Sequence, residues 1–151
     1  MDVEDAKVLA EGIMREYGLD RWTFRWDASK RRFGRCRHLH RVINLSKPLV
    51  ALNDRAAVED TIRHEVAHAL VGRDHGHDAA WKAMCRKVGA RPVRCYDSSE
   101  VVTPPSKWIG RCDHGCAIPR HKLSRSVREH SWCKAHASHL TWGPNPSKGV
   151  M

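Results

Sequence analysis

The segment from Asn53 to Gly72 constrains this chain most, because it specifies a long helix and puts two histidines on one side of it. Val58, Ile62, Val66, Ala69 and Leu70 recur at helical spacing and form one apolar face. Asn53 or Asp54 is a suitable N-cap, and Gly72 closes the helix after about Val71. Inside it lies His64-Glu65-Val66-Ala67-His68. Residues four apart share a side of a helix, so both imidazoles can reach a single ion. Glu65 is turned about 100° from His64, near such an ion but not obliged to bind it. Two nitrogen ligands and an adjacent carboxylate base are what the activation of a water requires. The competing reading is a surface helix with an ordinary His pair. Ala57 and Thr61, small or neutral on the histidine side, argue against it, because a helix without a strongly charged face belongs in an interior or a cleft.

A hydrolytic zinc site keeps three protein ligands and one open position. Asp74, His75, His77 and Asp78 compete for the third place. Asp74 stands where the last ligand of an HExxHxxGxxH pattern would fall, but Val71 occupies the position of its glycine. His77 sits just before a second helix, where a chain folding back over the first would meet the metal. It is preferred, with His75 next and Asp74 third.

Around this helix, Ala6, Leu9, Ile13 and Tyr17 predict a helix over about Val3–Tyr17. Trp22, Phe24 and Trp26 alternate with polar residues as in a strand, and two further strands are expected over Arg32–His38 and Arg41–Leu45. Together they suggest a small antiparallel meander. A second helix over about Asp78–Val88 carries Trp81, Met84, Cys85 and Val88 inward and stops at Gly89. The chain of 151 residues, 41% hydrophobic and 29% charged, fits a modest domain followed by a stapled module. The expected division is residues 1–97 as an α+β domain, 98–106 as a linker around Pro104-Pro105, 107–142 as the module, and 143–151 as a flexible tail. No internal repeat or low-complexity tract is evident.

The segment His64-Glu65-Val66-Ala67-His68-Ala69, followed by Gly76-His77 and Trp81, resembles the SprT-like family of zinc metalloproteases. That family has an HExxH helix, a variable loop, and a Gly-His before a second helix with an aromatic in its first turn. The upstream helix, Trp-rich hairpin and strand Arg41–Ser46 fit the same layout. The resemblance implies a zincin-like fold, with helices packed on a small antiparallel sheet. It implies a catalytic zinc on His64, His68 and His77, with Glu65 as general base and acid. It also implies proteolysis of DNA-bound proteins, including DNA–protein crosslinks.

Cys112-Asp113-His114-Gly115-Cys116 and Cys133-Lys134-Ala135-His136 supply two ligand pairs separated by 16 residues. In a chain expected to stay reduced, this reads as a structural zinc on Cys112, Cys116, Cys133 and His136 in a ribbon-like hairpin. His114 is an alternative to Cys116. Residues 106–151 are too few to fold without such a staple. Cys36, Cys85 and Cys95 are read as structural, Cys85 in the core.

Lys+Arg outnumber Asp+Glu by 27 to 17, a net charge of +10, and residues 106–151 alone hold a net of +6. A basic module suits a polyanion, so DNA is the expected partner beside protein substrates. Arg120, Lys122, Arg125 and Arg128 are the candidate phosphate contacts, in a loop between the ligand pairs. A second basic run, Lys30-Arg31-Arg32 with Arg35, Arg37 and Arg41, either extends that surface or decorates an edge strand. No apolar run approaches the roughly 18 residues of a membrane span, and the acidic start is unlike a signal peptide. A monomer is expected, in the cytoplasm of a bacterium or virus-infected cell, or in a nucleus if the source is eukaryotic, and not secreted. Two alternatives stand beside a DNA-associated protease. One is a metallopeptidase without a nucleic-acid role, the other a non-catalytic zinc-containing DNA-binding protein.

Overall fold

Burial of both faces of Val42–Ser46 decides how the first part of the chain is layered. This strand, β3, is buried at every position. In this computed structural model, which describes residues 1–95 and 100–146, it lies in the middle of a three-stranded sheet of order β1-β3-β2. β1 is Thr23–Asp27 and runs parallel to β3, with Phe24 opposite Ile43. β2 is Gly34–Arg37 and runs antiparallel, with Cys36 opposite Ile43. The sheet is therefore mixed and not the expected antiparallel meander. A tight 3₁₀ turn, His38–His40, joins β2 to β3, and the strand buried on both faces takes the centre.

The helices follow from local signals. α1 (Val3–Glu16) is capped by Asp2, whose carboxylate accepts from the N–H of Glu4 at 2.8 Å, and it buries Ala6, Ala10, Ile13 and Met14. α2 (Lys47–Leu52), absent from the sequence reading, begins at Ser46, whose hydroxyl accepts from Leu49 N–H. α3 (Arg55–Val71) and α4 (Ala79–Val88) are capped by Asp54 and Asp78. Arg63 on α3 donates to the Val88 carbonyl at 2.7 Å, tying the two helices together. Their shared core includes Ile43, Leu45, Val58, Ile62, Val66, Trp81, Cys85 and Val88.

This unit covers Met1–Pro104. Part of the expected linker belongs to it. Val101 is buried, and Asn53 and Val102 exchange two hydrogen bonds of 2.8 Å. Residues 98 and 99 lie outside the described residues.

The second unit, Pro105–Met151, contains β4 (Trp108–Arg111), β5 (Ala117–Arg120), α5 (Arg125–His130), β6 (Trp132–Cys133), β7 (Ser138–His139) and β8 (Thr141–Pro144). One sheet has the antiparallel order β5-β4-β8, and β6 pairs with β7. Pro119 and Pro144 sit on the outer strands, where a missing N–H costs no ladder bond. Two expectations are corrected here. Gly143 and Pro144 belong to β8, because Trp142 packs into the small core and Asn145 bonds back to Ser106, and the rest of the expected tail, residues 147–151, lies outside the described residues. Of the four basic residues expected in a loop, Arg120 ends β5, and Arg125 and Arg128 lie on α5, which Ser124 caps.

Among the described residues no helix is long and apolar enough to cross a membrane. All six cysteines are free of disulfides.

Candidate metal centre and active-site cleft

α3 carries His64, Glu65 and His68 through its last turns and stops at Gly72, where φ of 94° suits a residue without a side chain. The chain then doubles back. Asp78 accepts from the N–H of Trp81 at 2.9 Å and starts α4, which leaves His77 immediately before the cap and facing α3. His77 Nε2 stands 3.2 Å from His68 Nε2 and 3.3 Å from His64 Nε2. Nitrogens bound to one tetrahedral zinc at about 2.0–2.1 Å lie about 3.3 Å apart, so the three rings fit a single ion. The other candidates are held elsewhere. His75 Nδ1 pairs with Asp78 at 2.7 Å, and Asp74 with Arg73 at 3.4 Å.

Trp81 forms a floor beneath all three imidazoles. It is fully buried, with ring centroids 4.7 Å from His64, 5.1 Å from His68 and 4.5 Å from His77. Burial, reinforced by the neighbouring imidazoles, lowers His64 to about 4 and His68 to about 3. Burial and then the charge of Arg94 lower His77. Neutral rings leave the nitrogen lone pairs free for a metal.

Glu65 is buried between α3 and β2. Burial raises its carboxyl to about 8, against the N–H of Cys36, which bonds to it. Residue 34 is glycine where the carboxylate lies, since a Cβ there would meet Glu65 Oε1 at 2.5 Å. Two neighbours escaped the sequence reading. His38 Nε2 donates to the His68 carbonyl at 2.8 Å, bracing the end of the helix that bears the ligands. Cys36 has its thiol pushed up to about 12 by burial and then by Glu65, so it is no nucleophile. No spacing rule marks either residue, because each reaches the site through the fold. Cys95 is exposed and lines the cleft.

The histidines and Glu65 open into a cleft of about 850 Å³, which β2 residues Gly34, Arg35 and Cys36 also line.

The sequence profile of the SprT-like family matches residues 6–101, the stretch that holds the cleft and every group described above. The chain belongs to the SprT-like family. It is 31% identical to Protein SprT of Proteus mirabilis, the match covering 58% of this chain and 58% of the relative. To Protein SprT of Erwinia tasmaniensis it is 29% identical, over 59% of this chain and 52% of that protein. The chain thus spans a little over half the length of these relatives. No solved structure matches it.

Beyond the SprT-like match, Cys112, Cys116, Cys133 and His136 offer atoms within 4.8 Å of one another. His136 Nδ1 lies 3.7, 3.4 and 3.6 Å from the sulfurs of Cys112, Cys116 and Cys133. A tetrahedral zinc with its usual bond lengths sets such pairs about 3.6 Å apart. Burial opposes ionisation of Cys112, yet the N–H groups of Cys116 and His114, with the His136 and Cys133 side chains, bring its thiol down to about 6. His114 is outside the cluster and stacks on His136 at 4.5 Å.

The four candidate DNA contacts have different surroundings. Arg120 lies over the Trp142 ring at 6.0 Å and Arg128 over Trp108 at 5.5 Å, while Arg125 pairs with Glu129 at 2.8 Å. Lys122 lies in the loop between β5 and α5.

Proposed function

We propose that this SprT-like chain is a zinc-dependent endopeptidase acting on DNA-associated proteins, including DNA-crosslinked ones. One observation carries the reading: three neutral imidazole nitrogens converge beside a buried carboxylate in an open cleft. His64, His68 and His77 would hold the ion, and when bound it supplies Lewis acidity toward a peptide carbonyl and an attacking water. Glu65, oriented by the Cys36 N–H, takes the proton from that water and delivers it to the leaving amine nitrogen. Trp81 keeps the three rings in register, and His38 steadies the backbone of His68.

The DNA association rests on the basic second unit. Its cations would meet phosphates, and its tryptophans offer faces for unstacked bases, Trp132 being 60% exposed. A structural zinc on the Cys/His cluster would stabilise that small unit.

The test uses the zinc-loaded full chain on a protein crosslinked to a single-stranded oligonucleotide, with the same protein free in solution as comparison. Cleavage is expected to be faster on the crosslinked protein and to weaken with salt. Glu65→Gln should retain zinc and lose cleavage by about a thousandfold or more. Full activity in Glu65→Gln, or an inert zinc-loaded wild type, overturns the reading.

A further inference from the structure

β2 is the outer strand of its sheet, and its backbone polarity can be read from one bond. Ser46 N–H donates to the Phe33 carbonyl at 2.8 Å. In an antiparallel pair the bonding residues alternate, so Phe33, Arg35 and Arg37 bond toward β3 while Gly34 and Cys36 turn their polar groups outward. Glu65 takes the Cys36 N–H, which leaves the N–H and C=O of Gly34 and the C=O of Cys36 along the cleft wall, unpaired among the described residues.

The charges beside that edge are one-sided. Arg35 and Arg37 are exposed on the same face of β2, and they line a shallow hollow next to the cleft. Arg94 lines the cleft near His77. Among the described residues none of these three has an ion pair. The acids of the cleft are committed: Asp60 and Glu100 both bind Arg91, at 2.9 and 2.8 Å, Asp54 caps α3, and Glu65 is buried. A chain paired with β2 would set its alternate side chains opposite Arg35 and Arg37 on their own face.

We propose that the open edge of β2 receives an extended acidic segment, its alternating carboxylates facing Arg35 and Arg37. This rests on the endopeptidase reading and names its substrate class. A peptide strand suits the site better than duplex DNA, because outward-facing backbone N–H and C=O groups match the edge of another strand.

The test measures binding of labelled peptides to the zinc-loaded Glu65→Gln full chain by fluorescence polarisation. A peptide with Asp and Glu at alternate positions should bind about tenfold tighter than its Asn/Gln counterpart, and the margin should shrink in high salt. Arg35→Gln with Arg37→Gln should bring the ratio close to one, while Lys7→Gln on α1 leaves it alone. N-methylation of alternate peptide amides should weaken binding in only one of the two registers. Equal binding of acidic and neutral peptides overturns the proposal. So does an oligonucleotide that displaces the peptide and is itself the ligand weakened by the arginine changes. Wild-type cleavage is scored separately. Acid-selective binding without cleavage supports this proposal and counts against the endopeptidase reading, whereas cleavage without acid selectivity overturns this proposal alone.

Discussion

Glu65 occupies the space that a side chain on Gly34 would fill: a Cβ at residue 34 would lie 2.5 Å from its Oε1 and 2.7 Å from its Cγ. The carboxylate and strand β2 are therefore fitted to each other. Gly34→Ala should push Glu65 out of place and cut proteolysis by about a hundredfold, with a stability loss of about 1–3 kcal/mol. Zinc content should stay the same, since the ligands are untouched. Steady-state rates alongside metal analysis check this, and an unaltered rate would show that Glu65 does not need its present position.

Trp81 contacts all three imidazoles, so its size governs the metal site as well as the core. Trp81→Ala should cost about 3–5 kcal/mol in urea unfolding and weaken zinc binding with it. Trp81→Phe keeps an aromatic floor and should retain zinc with a much smaller loss. Unfolding curves with and without zinc separate the two effects.

Acid sensitivity follows from the buried rings. His64 and His68 ionise at about 4 and about 3 in the folded chain, below the ordinary value of 6.5. Between these limits the unfolded state binds more protons, so stability is fully present above about 6.5 and is lost as pH falls towards the folded values. Metal-stripped protein should show a falling urea midpoint over that window. His64→Gln with His68→Gln should flatten the slope.

The two ligand groups belong to different units and should report independently. Wild type is expected to bind two zinc ions, His77→Ala one, and Cys133→Ser one. Cys133→Ser should also melt the second unit, whose buried core otherwise rests on Cys112, Cys133 and Leu140. Atomic absorption and amide exchange measure the two effects. Zinc lost from both groups in either variant would contradict it.

The helices were legible because their signals are local. Asp54, Asp78 and Gly72 end elements by their own chemistry, and the four-residue step from His64 to His68 needs only helix geometry. That His77 and not His75 lies beside His64 and His68 was legible in part, since a residue just ahead of a cap faces the previous helix. The sheet was misread as a meander, because Asn44 and Ser46 interrupt the apolar residues of β3 and hide that the strand is buried at every position. α2 is too short for its period to show, and Pro48 disguises it. The contacts of Glu65 with Gly34 and Cys36, and of His38 with His68, join residues about thirty apart and arise only from tertiary packing. At the C-terminal end the Gly and Pro around Trp142 hid a strand that its ring anchors across Gly110.

The central position of β3 has a consequence for synthesis. Both strands that flank it precede it in the chain, and they do not pair with each other. A ribosome that has emitted β1 and β2 has so far made no sheet, and the arrival of β3 joins both at once. The helix bearing the histidines emerges only afterwards, so the nascent chain lays down the wall of its cleft before the ligands that face it.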